Sequence, residues 1–263
     1  MAEELVVVKK EENICTLIIN RPQKRNSMNP ETLLQLGDAL NALKEDGQTR
    51  LVVIRGAGEE AFSSGYDIGR IGGASDQELT GPRRNPLAYG MNSVSGFPYP
   101  VIAMIFGYAV GAGLELAATC DLRFAAEGAR LGITPAKLGV VYSPQGLQKF
   151  LNLVGVSQTK ELFYTGRLID AQRALEIGLV DHVRPAGELV KFTYDLAGEI
   201  AGNAPLSVSG TKTTIARLLK YQKLNPEDED ELRKLQAQAM SSEDLKEGQK
   251  AFLEKRKPRF TGR

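Results

Sequence analysis

Two periodicities alternate along the first half of this chain. Leu5 to Val8, Ile14 to Ile19, Leu51 to Ile54 and Pro100 to Phe106 are short β-branched or apolar runs. The last two are apolar at consecutive positions, the pattern of strands buried on both faces. Between them Leu33, Leu36, Leu40 and Leu43 recur at helical spacing behind Asn29 and Pro30, a capping residue followed by proline at the first helical position, and this helix is expected to end near Gly47. The pattern predicts paired strands at the start, then a mostly parallel sheet covered on both faces, with Leu122 to Ala125 as a further strand. Residues 70 to 98, where GGASDQ and GPRRNP break any period, read as a mobile, partly helical loop over the site. From Gly146 onward LQKFLNLVG, TKELFYTG and DAQRALEIG are short amphipathic units, each stopped by glycine. Three longer helices, roughly Glu188 to Ala201, Leu206 to Tyr221 and Pro226 to Lys255 with a break near Ser241, close the chain. The expected division is an α/β core over residues 1–200 and a helical region over 201–263.

Composition narrows the chemistry. Lys and Arg total 33 against 32 for Asp and Glu, a net charge of +1, so no broad electrostatic footprint for nucleic acid or a membrane surface is expected. No apolar run approaches the roughly 18 residues of a membrane span, and MAEELVVVKK lacks the apolar centre of a secretion signal. A cytoplasmic protein is expected. Cys15 and Cys120 have neither metal-ligand nor disulfide spacing and read as small buried hydrophobes. The single histidine, His182, sits in the apparent strand LVDHV, where a structural imidazole is expected. That argues against a Ser-His-Asp site and a multi-histidine zinc site, and no metal is expected. Acid–base work is left to carboxylate, tyrosine or lysine.

The chemistry converges on GYAVGAGLELAATCD, residues 107–121. It reads as a buried strand, a glycine-punctuated turn and a helix that carries Glu115 barely one turn in. Small residues allow close backbone approach, and the first amides of a helix have no intrahelical acceptor. No basic residue accompanies them, so the anion they await is one that forms during a reaction. A second glycine turn, Ser64-Gly65-Tyr66 in AFSSGYDIG, comes after the strand Leu51 to Ile54 and its RGAG end, and the two turns can aim backbone amides at one carbonyl oxygen.

Five blocks in this order, NRPQKRNSMN, RGAGEEAFSSGYDI, GYAVGAGLELAATCDLRFA, TGRLIDAQRALEIGLVDHV and AFLEKRKPRF, resemble the crotonase (enoyl-CoA hydratase/isomerase) superfamily over nearly the whole chain. The resemblance implies a crotonase-like α/β spiral of ββα units with a C-terminal helical trimerisation region. It also implies an acyl-CoA thioester substrate, no cofactor beyond the coenzyme A of that substrate, and a homotrimer or dimer of trimers. Residue by residue, it puts the oxyanion-hole donors on Tyr66 and Ala112. Coenzyme A contacts fall on Gln23, Lys24, Arg25, Ser64 and Ile68, and on Phe252 and Lys255 of the tail.

One departure decides the expected reaction. The hydratases of this family use two glutamates; the first corresponds to Glu115, and an ungapped alignment through LGITPAKLG puts Pro135 at the second. ARLGITPAKLGVVYSPQG contains no acid, but offers Tyr142 in the pattern TPxxLGxxY, which resembles the methylmalonyl-CoA decarboxylase branch. That branch resembles GHDI where this chain has GYDI at Tyr66. Decarboxylation of a malonyl-type thioester needs an oxyanion hole and a proton for carbon, but no strong base, so one carboxyl and one phenol suffice. Glu115, among Val110, Leu114 and Leu116, is expected to act as acid or water organiser, and Tyr142 to hold the departing carboxylate or orient Glu115. The alternative is an enoyl-CoA hydratase relying on Glu115 alone or with Asp67. A non-catalytic or RNA-binding homologue is a third, which the near-neutral charge disfavours.

Overall fold

The computed structural model describes residues 4–67, 80–219 and 226–261. Two sheets form the core. The larger has six strands in the order β1 (Val6–Glu11), β2 (Ile14–Ile19), β3 (Leu51–Gly56), β5 (Val101–Ile105), β7 (Leu122–Ala126) and β10 (His182–Arg184). All neighbours are parallel except the opening β1–β2 pair. The smaller has β4 (Ala61–Ser63), β6 (Tyr108–Val110), β8 (Arg130–Gly132) and β9 (Ile169–Asp170). Period-2 patterning explains the burial of the large sheet. Val52, Ile54, Val101, Ala103 and Ile105 face one hydrophobic cluster, and Leu51, Val53, Ile102 and Met104 face the other.

Helices cover both faces. Leu33, Leu36 and Leu40 of α1 (Pro30–Glu45) and Met91 and Val94 of α2 (Pro86–Ser95) lie in the first cluster, with Leu114 and Leu116 of α3 (Ala112–Thr119). Leu189, Ala197 and Ala201 of α6 (Ala186–Gly202) close the second. The Asn29 side chain accepts from the Thr32 amide at 2.9 Å, with Pro30 at the first helical position, so α1 starts where its cap signal lies. His182 stacks edge-on between Phe124 and Phe192, and Cys15 and Cys120 are buried free thiols whose titration burial pushes up to about 11 and about 12. The structural readings of all three therefore hold.

The second sheet is a correction to the single sheet expected. Its strands are two or three residues long, below what a periodicity can register. The glycine stops are sharper in two places than in the third. Gly166 caps α4 (Pro144–Thr165) in the left-handed region and Gly178 follows α5 (Ala171–Glu176) at φ 76°, while Gly155 (φ 71°) only kinks α4. Of residues 70 to 98, those at 80–98 form a 3₁₀ turn, Gly81–Arg84, and α2, and those at 70–79 lie outside the described residues. The closing helices are α7 (Pro205–Leu219), α8 (Pro226–Met240) and α9 (Glu243–Leu253), with the break at residues 241–242 as expected. A Cβ on Gly139 would lie 2.8 Å from the backbone of Asp244, and one on Gly248 would lie 2.7 Å from the Leu138 carbonyl. These two glycines dock α9 directly on the loop that leads to Tyr142.

Candidate active site

The smaller sheet builds the site. Because β4 and β6 are parallel neighbours, their carboxyl ends share one edge, and the turns that follow them meet. Gly65 adopts φ 105°, and a Cβ there would lie 2.7 Å from the Val110 carbonyl and 3.4 Å from the Ala112 nitrogen. At Gly113 a Cβ would lie 2.4 Å from the Ser63 carbonyl. Glycine at both positions is what lets the crossing happen. The Gly65 carbonyl accepts from the Met28 amide at 2.8 Å, so the trans peptide directs the Tyr66 N–H away from Met28. Gly111, at φ 55°, caps α3 with no side-chain acceptor, leaving the Ala112 amide ahead of the first ladder bond from Glu115 to Gly111.

Tyr66 and Ala112 line one cavity of about 1020 Å³ together with Ser64, Glu115, Pro135 and Tyr142. Glu115 is 5% exposed and supplies the only carboxylate among the described lining residues. Pro135, on the 3₁₀ turn Pro135–Lys137, does line the cavity at the position aligned with the second glutamate. The Tyr142 hydroxyl donates to Glu115 Oε2 at 2.6 Å, the contact that the orienting role would require. Burial, then the charge and acceptor of Glu115, push the phenol's titration well above 10, so it stays a donor. The ring is held edge-on to Phe163 at 5.2 Å, and Gly146 leaves it room, since a Cβ there would come within 2.6 Å of it. Ser143 caps α4 by accepting from the Gly146 amide at 3.0 Å, fixing where the helix begins behind Tyr142.

Glu115 has a second partner that the sequence reading missed. Lys149 Nζ donates to Oε1 at 3.1 Å, so the surroundings are not simply apolar. In sequence Lys149 looked like the polar face of an amphipathic helix; the available signal was a buried glutamate without a cation.

The other expected positions separate. Ser64 lines the cavity, and the exposed turn carrying Gln23, Lys24 and Arg25 lies against it, the Ser64 amide donating to the Arg25 carbonyl at 3.0 Å. None of these three side chains lines the cavity, and Arg25 pairs with Glu60 at 2.8 Å. Ile68 lies outside the described residues. Phe252 lines the cavity of its own chain, whereas Lys255, at φ 53° just past α9, is not in the lining; Arg256 and Lys257 are. With Lys137 they are the basic side chains of the described lining, Arg256 being paired with Glu247 and Glu254. Asp67 pairs with Arg21 at 3.3 Å and is not in the lining, which removes it as a second carboxylate.

Two glycine turns thus meet at a cavity whose described lining holds one buried, hydrogen-bonded carboxylate, the arrangement expected from the crotonase resemblance. The family model described as enoyl-CoA hydratase/isomerase matches residues 9–263, and the chain belongs to that family. A crotonyl-CoA hydratase of Syntrophomonas wolfei is 35% identical, covering 99% of both chains. A short-chain-enoyl-CoA hydratase of Clostridium acetobutylicum is 33% identical over 96% of this chain and 95% of its own. A crystal structure of methylmalonyl CoA decarboxylase superposes with a TM-score of 0.90 at 31% identity, covering all of both chains.

Proposed function

We propose that this acyl-CoA lyase decarboxylates a short malonyl-type thioester, methylmalonyl- or ethylmalonyl-CoA, through an enolate held by the amides of Tyr66 and Ala112. The bond from Cα to the carboxylate breaks, and its electron pair passes into the thioester carbonyl as an enolate oxyanion. Carbon dioxide leaves, and one proton added at Cα restores the carbonyl. Two preorganised amides stabilise charge only where it develops, the usual source of the largest share of such an acceleration. The observation that carries this reading is the lining itself: among the described residues one carboxylate, Glu115, bound by Tyr142 at 2.6 Å, with Pro135 where a hydratase has its second glutamate.

Because Tyr142 and Lys149 are both engaged by Glu115, a substrate carboxylate meets the apolar wall of Leu87, Leu138 and Val140. An unsolvated carboxylate there is disfavoured relative to a delocalised enolate and neutral carbon dioxide. Glu115, with Tyr142, orders the water that delivers the proton. The reaction needs no metal or redox cofactor. Serine, lysine and arginine at the mouth, with the turn carrying Gln23, Lys24 and Arg25, suit the pantetheine and phosphates of coenzyme A. We assign the chain to the cytoplasm, as a homotrimer or dimer of trimers. The apolar residues that its closing helices leave exposed, Leu206, Ile215, Leu218 and Leu253 among them, support that assembly.

A second reading, hydration by Glu115 alone, is favoured by the names of the relatives above. Purified protein given methylmalonyl- and ethylmalonyl-CoA should release carbon dioxide and hydrate crotonyl-CoA poorly. Robust hydration, unchanged by Tyr142→Phe, would overturn the decarboxylase reading.

A further inference from the structure

The buried carboxylate is gripped from one short segment at both of its oxygens. Tyr142 donates to Oε2, and Lys149, entering from the second turn of α4, donates to Oε1. Between them Ser143 and Pro144 fix the helix start, so the spacing of the two donors is set by the cap rather than by flexible chain. The side chains of Glu115 and Lys149 are 7% and 22% exposed, so the ammonium is itself largely withdrawn from water. A carboxylate this deep is costly unless paired and hydrogen-bonded, and a Tyr–Glu–Lys chain with a donor on each oxygen also fixes the plane of the carboxylate.

We propose that Lys149 is a positioning residue for the reaction: it neutralises Glu115 and, with Tyr142, locks its carboxylate plane so that the remaining lone pairs face the thioester. This rests on the reading of Glu115 as the working carboxylate, not on which acyl-CoA is consumed. Among the described residues, Tyr142 and Lys149 are the titratable side chains hydrogen-bonded to Glu115, and the remaining charged side chains of the lining are Lys137, Arg256 and Lys257. The packed elements β4, β5, β6 and α2 contain no charged residue.

The test compares Lys149→Met and Lys149→Arg with the wild-type protein, using whichever of methylmalonyl-CoA or crotonyl-CoA the wild type turns over. A failure of the decarboxylase reading therefore leaves this test intact. Removing a hydrogen bond to a charged group should lower kcat about 10- to 100-fold in Lys149→Met, with KM within about threefold. Loss of the cation should also move the acid limb of the rate profile to higher pH. Lys149→Arg should recover most of kcat and the wild-type limb. A methionine variant within twofold of wild type in kcat, with an unmoved limb, would overturn the proposal; so would an arginine variant as impaired as the methionine one. Should Lys149→Met fail to fold, Lys149→Gln and Lys149→Arg carry the same comparison, with propionyl-CoA binding by calorimetry reporting an intact site.

Discussion

The cavity has two walls built on different principles. One is backbone: the turns after β4 and β6, where glycines at 65 and 113 let two peptide chains cross within van der Waals contact. The other is side chain: Glu115 on α3, gripped by Tyr142 and Lys149 from residues 27 and 34 positions downstream. The backbone wall tolerates changes of side-chain identity, since the Ala112 amide persists whatever its Cβ. On the proposed reading the side-chain wall decides the reaction, because the same fold with a glutamate in place of Pro135 would present two carboxylates to the thioester, while the oxyanion machinery is generic.

The largest effect is expected from damaging the backbone wall. Gly65→Val puts a branched side chain at φ 105° against the Val110 carbonyl and displaces the Tyr66 amide. Turnover should fall about 10²- to 10³-fold, the usual cost of losing one oxyanion donor, with the far-ultraviolet spectrum retained. Near-wild-type kcat would show that this turn does not aim the amide.

A smaller loss should follow Tyr142→Phe, which keeps the ring against Phe163 and removes only the hydroxyl donor to Glu115. Steady-state assays should give a fall in kcat of about tenfold, within the range of one hydrogen bond to a charged group, and little change in KM. The side-chain wall can also be read without turnover. Folding holds the Tyr142 phenol protonated well above its ordinary value of 10.0, so the stability it contributes is fully present below that pH and is lost as pH rises beyond it. In an ultraviolet phenolate titration, two of the eight tyrosines, Tyr89 and Tyr142, should ionise later than the ordinary value in wild type, and the later of the two steps should vanish in Tyr142→Phe.

The smallest effect concerns the tail. Glu247 accepts from both Arg256 guanidinium nitrogens at 2.6 and 2.8 Å and from the Arg259 amide at 2.8 Å. The Arg256 hydrogen bonds, then that of Arg259, hold its carboxyl down at about 2. That contribution is complete above the ordinary glutamate value of 4.5 and disappears as pH falls through about 2. Arg256→Ala should raise KM a few-fold while leaving kcat within twofold, because these contacts are exposed and salt-screened.

What the sequence made legible follows from how local each feature is. The strands and α1 were readable because burial on two faces and a capped heptad-like stripe leave periodic marks in neighbouring residues. Glu115, Ala112 and Tyr66 were readable because each belongs to one contiguous glycine motif. The short second sheet was not, since strands of three residues carry no period and are set by the closure of the spiral. Lys149 was not, because its partner lies 34 residues away and its own neighbourhood describes only an amphipathic helix. The tail shows the same limit: EKRK marked a basic cluster, but which of its residues line the cavity, Arg256 and Lys257, is set by the fold of the tail and not by its letters.

The central claim is that a single carboxylate facing an oxyanion hole serves an enolate made by loss of carbon dioxide. It is tested most directly by turning over methylmalonyl-CoA in deuterium oxide and analysing the thioester product by mass spectrometry. The account predicts propionyl-CoA carrying one deuterium at Cα, formed well above the uncatalysed rate and sharply reduced by Gly65→Val. No propionyl-CoA above background, from protein that hydrates crotonyl-CoA efficiently, would contradict it.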